Sequence, residues 1–156
     1  MRCTWTAELW LPHPPEVLFR YLTDVRNLDR VTPPWLRVRI LTEGPIQMAS
    51  GTRIDYRLRL HGLPFRWQTE IALWEPPTRF VERQGRGPYR SWDLQHEFVL
   101  LDGGTLIRDE MRYEVAGGLL VDRLIVRPNI KGIFAFRAQH LREIFRPTDV
   151  LASHRG

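Results

Sequence analysis

The stretch SWDLQHEFVLLDGGTLIRDEMRYEV, residues 91–115, constrains the fold more than any other part of the chain. Its two halves alternate apolar and polar residues with the period of two that extended strands show, and Asp102-Gly103-Gly104 supplies turn residues between them. In the first half Trp92, Leu94, His96, Phe98 and Leu100 share one face; in the second, Thr105, Ile107, Asp109, Met111 and Tyr113 do so. A turn at Asp102-Gly103 sets His96 opposite Asp109. A turn at Gly103-Gly104 pairs His96 with Met111 instead and leaves Asp109 one diagonal step away. Both registers keep the apolar faces together, whereas a three-residue loop splits them. Each strand thus carries one ionisable residue on its apolar face, and the two are expected to meet within hydrogen-bond reach.

The remaining chain supplies partners for this hairpin. Cys3, Trp5, Ala7, Leu9 and Leu11 alternate with Thr4, Thr6, Glu8 and Trp10 as a first strand. The period then changes: Pro14-Pro15 suits a helix start, with Val17, Leu18, Tyr21 and Leu22 at helical spacing, and a second short helix is expected from Asp24 until Pro33-Pro34 ends it. Leu36, Val38 and Ile40 read as a strand, followed by Ile54, Tyr56, Leu58 and Leu60, then Trp67, Thr69, Ile71 and Leu73. Glu43-Gly44-Pro45, His61-Gly62-Leu63-Pro64 and Glu75-Pro76-Pro77 mark the turns. Residues 79–86 form a further strand without a clean inner face, which leaves the direction of Gln84 open. After Gly117-Gly118 the helical period returns, with Leu120, Leu124, Ile125, Ile133, Phe134, Leu141, Ile144 and Phe145 as one apolar stripe and Pro128 expected to kink or divide the helix.

The resulting expectation is an α+β domain over residues 1–147, with a frayed tail at 148–156. About seven antiparallel strands, strongly curved, wrap a long C-terminal helix, with two short helices after the first strand. At 156 residues the chain buries roughly 68–70% of its unfolded surface, enough for a core with room for a cavity. A concave sheet around one helix leaves space where small molecules bind.

Charge and cysteine content narrow the partners. A net charge of +5 and a pI near 10.1 raise nucleic acid as a partner, but the arginines sit on the polar sides of strands, as Arg53, Arg57 and Arg59 do, which reads as a solvated sheet face. A nucleic-acid binder is therefore the third reading. Cys3 is the only cysteine, so neither an intrachain disulfide nor a thiolate cluster is available. His13, His61, His140 and His154 show no metal-ligand spacing, and GRG at 85–87 lacks the strand-glycine-helix context of a nucleotide loop; neither a metal nor another cofactor is expected. No apolar run approaches the ~20 residues of a membrane span and no signal-peptide pattern opens the chain, so a cytoplasmic location is expected.

The layout and the stretches WLRVRILTEGPIQMASGTRIDYRLRLHGLPFRW, WEPPTRF, GPYRSWDLQHEF and GGTLIRDEMRY resemble the START-like, helix-grip superfamily, and within it a bacterial branch of ligand-binding proteins. That superfamily includes polyketide cyclases and dehydrases, lipid-transfer domains and plant pathogenesis-related proteins. The branch commonly carries Trp-x-His-x-His-x-Phe on its sixth strand. Trp92, His96 and Phe98 match this pattern, and Leu94 stands where the first histidine falls, so a mechanism needing two histidines does not carry over.

The resemblance implies binding of a small hydrophobic or amphipathic molecule, as a carrier or sensor. The inward residues Tyr56, Trp67, Trp92, Leu94, Phe98 and Tyr113 are the expected walls, and His96 with Asp109 the polar contact. The alternative is a cofactor-free cyclase or dehydratase in which His96 is the acid or base and Asp109 orients it. A structural brace that fixes register accounts for the same pair, since burying either group alone is costly. Trp35 suits either a cavity cap or a core anchor.

Overall fold

The computed structural model describes residues 2–147; the tail expected at 148–156 lies outside them. The strands are β1 (Cys3–Leu11), β2 (Arg39–Ile40), β3 (Arg53–Leu60), β4 (Leu63–Glu75), β5 (Arg79–Arg86), β6 (Ser91–Leu101) and β7 (Gly104–Glu114). They form one antiparallel sheet in the order β1-β7-β6-β5-β4-β3-β2, so every strand after β1 pairs with its sequence neighbour and β1 closes on β7. Between β1 and β2 lie α1 (Pro15–Thr23) and α2 (Leu28–Val31); α3 (Gly118–Val121) and the long α4 (Arg127–Ile144) follow β7.

The hairpin takes the first of its two registers. Asp102 and Gly103 both have left-handed φ, 51° and 74°, as a tight two-residue turn requires, and Leu101 faces Gly104. Gly104 itself has no room for a side chain: a Cβ there would lie 2.4 Å from the Leu11 carbonyl oxygen and 2.6 Å from the Trp10 ring. Trp10 Nε1 donates to the Leu101 carbonyl, 2.8 Å, which ties β1 to the end of this hairpin.

Two bulges bend β4 against β5. The register shifts between Gln68 and Thr69 and again between Ile71 and Leu73. The second shift has a consequence that alternation does not reveal. Trp67, Thr69 and Ile71 point inward, but past the extra residue the inward position passes from Leu73 to Trp74, which packs on Phe19 and Phe80. On β5 the buried Phe80 and the cavity-facing Glu82 define the inner face. Gln84 continues that parity and folds back: its Nε2 donates to the Tyr89 carbonyl and its Oε1 accepts from the Tyr89 amide, at 2.8 and 3.2 Å.

Three local expectations are corrected. The strand expected over Leu36, Val38 and Ile40 shrinks to Arg39–Ile40, because Pro34–Leu36 form a 3-10 turn and Arg37 takes a left-handed φ of 45°. The helix expected from Asp24 begins as a 3-10 turn, Val25–Asn27, continues as α2 and stops at Thr32, whose extended ψ of 141° suits a residue before Pro33. The stripe on the last helix is not one stripe. A π turn over Asp122–Val126 shifts the helical phase and turns Asp122 inward, leaving Leu120, Leu124 and Ile125 exposed. Pro128 sits in the first turn of α4, where its missing amide costs little.

The core is divided. At one end Leu18 and Phe19 of α1 pack with Leu11, Phe80, Phe98, Ile107, Leu141 and Phe145. At the other, Ile54, Tyr56 and Trp67 gather Val25, Leu28, Val38 and Leu58. Ile130 of α4 meets Leu94, Met111 and Tyr113 between them.

Candidate functional site

A cavity of about 230 Å³ lies between the sheet and α4, with α2 and the Pro34–Leu36 turn contributing Leu28, Val31 and Leu36 to its lining. Its walls are chiefly apolar. Trp67 and Trp92 meet edge to face with ring centroids 5.0 Å apart, and Tyr89 packs on Trp67 at 5.6 Å. Leu58 and Leu60 of β3, Ile130 and Ile133 of α4, and Leu28 and Val31 of α2 complete the lining.

Five of the eight residues expected at the site line this cavity: Tyr56, Trp67, Trp92, Leu94 and His96. The other three do not, for separate reasons. Phe98 has the inward parity but lies too far along β6, and its ring packs on Phe19 at 5.2 Å in the solid end of the core. Tyr113 is fully buried beneath the π turn and donates its hydroxyl to Asp122, 2.5 Å; burial and that bond raise its pKa. Asp109 sits behind His96 and faces a second void of about 40 Å³ between β1, β7 and α4. Trp35 is 55% exposed and packs edge-on against Phe136 of α4 at 6.0 Å, off the cavity wall.

The His96-Asp109 pair belongs to a longer array. His96 Nδ1 lies 2.7 Å from Asp109 Oδ1, and its Nε2 lies 2.8 Å from Glu82 Oε2. Arg137 of α4 donates from Nη1 to Asp109 Oδ2, 2.9 Å. Carboxylate, imidazole, carboxylate and guanidinium thus alternate, with Glu82, His96 and Arg137 bordering the cavity and Asp109 and Arg137 bordering the second void. Burial alone favours neutral imidazole, but the Asp109 and Glu82 carboxylates outweigh it and raise the His96 pKa above its ordinary value. Asp109 moves the other way: burial would raise its pKa, and Arg137 together with His96 bring it below the usual carboxylate range. With a carboxylate at each ring nitrogen, His96 is suited to the imidazolium form, both nitrogens donating.

Glu82 and Arg137 are the members that sequence reasoning missed. The mixed character of RFVERQGR concealed Glu82, although Phe80 two residues earlier shares its parity. Arg137 had a legible signal, since Ile130, Phe134, Arg137 and Leu141 fall on one helical face. Tyr56 also carries a polar atom into the cavity: no hydrogen bond among the described residues engages its hydroxyl, and burial, then the Glu82 charge, raise its pKa. Among the described residues, no three His, Cys, Asp or Glu side chains converge as metal ligands would. None of the described helices is long and apolar enough to cross a membrane.

Solved structures with this architecture come from plants and bacteria. Ginseng major latex-like protein 151 from Panax ginseng is 10% identical, with 94% of this chain and 99% of that chain covered at a TM-score of 0.70. Ara h 8.0201 is 17% identical over 93% and 98% of the two chains, TM-score 0.67. The Zhui aromatase/cyclase from Streptomyces sp. R1128 is 17% identical over 92% and 96%, TM-score 0.66. At such identities the likeness is one of fold. No curated protein sequence matches the chain. The family described as polyketide cyclase / dehydrase and lipid transport matches residues 11–141, from the last residue of β1 into the final turns of α4, and the chain belongs to that family.

Proposed function

We propose that the protein binds a small hydrophobic or amphipathic molecule in the cavity between the sheet and α4, as a carrier or sensor. The observation that carries this reading is the combination of an aromatic and aliphatic wall with a few polar groups, among them Glu82, His96 and Tyr56 from the sheet and Arg137 from α4. Apolar lining supplies affinity through burial, and sparse polar groups supply orientation. Native mass spectrometry of freshly purified protein tests it. The expected result is a small molecule retained at one copy per chain, or uptake of one equivalent of an apolar fluorescent probe by emptied protein. Failure of both overturns the reading.

Catalysis is the second reading, favoured by the charged array at the cavity wall and by the cyclases and dehydrases within the family. This reading makes His96 the acid or base with Asp109 orienting it, and the base role needs a free lone pair. Both ring nitrogens of His96 already face carboxylates. Incubation with a broad panel of carbonyl compounds tests this reading; binding without product counts against it and leaves the carrier role intact.

The nucleic-acid reading ranks third because the outer arginines are interleaved with acids. Arg83 pairs with Asp93 at 2.8 Å, Arg112 with Glu110 at 2.7 Å and Arg108 with Glu8 at 3.3 Å. Retention on nucleic acid that collapses with added salt would promote it.

A further inference from the structure

Among the described residues lining the cavity, the one carboxylate is that of Glu82. The imidazole is 4% exposed and committed at both nitrogens, and Asp109 is held behind it by Arg137. Glu82 alone of the four presents a carboxylate to the cavity: its Oε2 accepts from His96 Nε2, its side chain remains 25% exposed, and no other hydrogen bond among the described residues engages it. The unpaired hydroxyl of Tyr56 opens on the same space.

We infer that Glu82 is the specificity-determining residue of the cavity and His96 its positioning residue, so that the site selects neutral ligands donating a hydroxyl hydrogen bond and rejects ligands bearing a carboxylate. This inference rests on the cavity being the binding site. A ligand hydroxyl donates to the open oxygen of Glu82, which is an ionised and therefore strong acceptor, while Tyr56 donates to a neighbouring ligand oxygen. A ligand carboxylate would place a second negative charge beside Glu82 in a largely apolar space. Of the positive charges nearby, His96 already faces two carboxylates, and Arg137, which also borders the cavity, donates from Nη1 to Asp109, so a ligand carboxylate reaching it competes with Asp109 for that charge. His96 acts through Glu82: its Nε2 holds the carboxylate in one rotamer, and it is itself braced by Asp109.

Three naphthalene probes of one shape test the assignment: 2-naphthol, which donates a hydrogen bond; 2-methoxynaphthalene, which does not; and 2-naphthoate, which is anionic. Tryptophan quenching gives each affinity. The wild type is expected to bind 2-naphthol at least about tenfold more tightly than either competitor, the scale set by a charged acceptor left unmatched. In Glu82→Gln the naphthol preference should fall to within about threefold and naphthoate should gain about tenfold. His96→Leu should erode the same preference, and adding it to Glu82→Gln should erode nothing further; a purely structural His96 would weaken all three probes in parallel. If Glu82→Gln fails to fold, Glu82→Asp and Tyr56→Phe carry the test, each expected to reduce discrimination between naphthol and methoxynaphthalene. Equal wild-type affinities, or selectivity intact in the Glu82 variants, overturn the inference and leave the cavity reading standing. Absence of binding by any probe overturns both.

Discussion

The imidazole of His96 lies against the ring of Phe80 with centroids 4.4 Å apart and planes 22° from parallel. Phe80 is itself 3% exposed and clamped by Phe19 and Trp74. A cation over an aromatic face is favourable by about 0.5–2 kcal/mol, most where water is excluded. Phe80→Leu keeps the apolar volume roughly but loses the face. Its expected effect is a loss of about 1–3 kcal/mol in chemical unfolding together with a lower His96 pKa by NMR titration. An unchanged titration would reduce the stack to packing alone.

The pH dependence of stability follows from the two shifted groups. His96 has a raised folded pKa, so its contribution is full below the ordinary imidazole value of about 6.5 and is lost as pH climbs through the folded value. Asp109 has a lowered folded pKa, so its contribution is present above about 3.9 and is lost as pH falls through the folded value. Thermal unfolding of the wild type should therefore show a plateau between these limits. His96→Gln, which cannot titrate, should decline less steeply on the alkaline side. Parallel profiles for the two proteins above pH 6.5 would contradict the assignment.

Removing one member of a buried array leaves its neighbours uncompensated. His96→Leu is expected to cost about 3–5 kcal/mol, because the charge of Asp109 loses one partner and that of Glu82 its only one. The His96→Leu, Asp109→Leu double variant should recover part of that loss but not all, since Arg137 and Glu82 then stand without partners. Urea denaturation of the singles and the double measures the coupling. Strict additivity would show that the groups act independently.

Leu94 borders the cavity at 7% exposure, in the same packed cluster as Ile130 of α4. Leu94→Trp is expected to fill the space: ligand or probe binding should be abolished while unfolding shows a loss within about 1–3 kcal/mol. Retained binding would place the ligand elsewhere.

Gly104→Ala probes the junction of β1 with the hairpin. The added methyl meets a backbone carbonyl that β1 pairing holds in place, not the end of a flexible side chain. A loss of about 1–3 kcal/mol is expected, with Trp10 fluorescence shifted as its ring is displaced. An unperturbed Trp10 would show that β1 yields easily at this end.

Alternation carried the sheet a long way, because period-two patterning reports face directly: the parity of β6 against β7 and the meeting of His96 with Asp109 were legible, while the choice between two registers was left to the turn. It failed where the backbone adds a residue, since a bulge at Ala72 exchanges faces without any change in residue type, and the π turn does the same on the last helix. Parity also says nothing about depth along a strand. Phe98 and Trp92 share a face, yet one is stacked among phenylalanines and the other borders the cavity. Glu82 was hidden because an acid on an inward face looks like an error in the pattern until its partner is known.

The irregularity at Ala72 has a bearing on how such a chain diversifies. Because the residues before it address the ligand space and those after it address the phenylalanine cluster, β4 is in effect two modules spliced in one strand. Exchanges at Trp67 and Thr69 reshape the chamber without touching the anchor that Trp74 makes. Changes on one side of the splice can therefore retool the chamber for new molecules while the other side keeps the phenylalanine cluster packed.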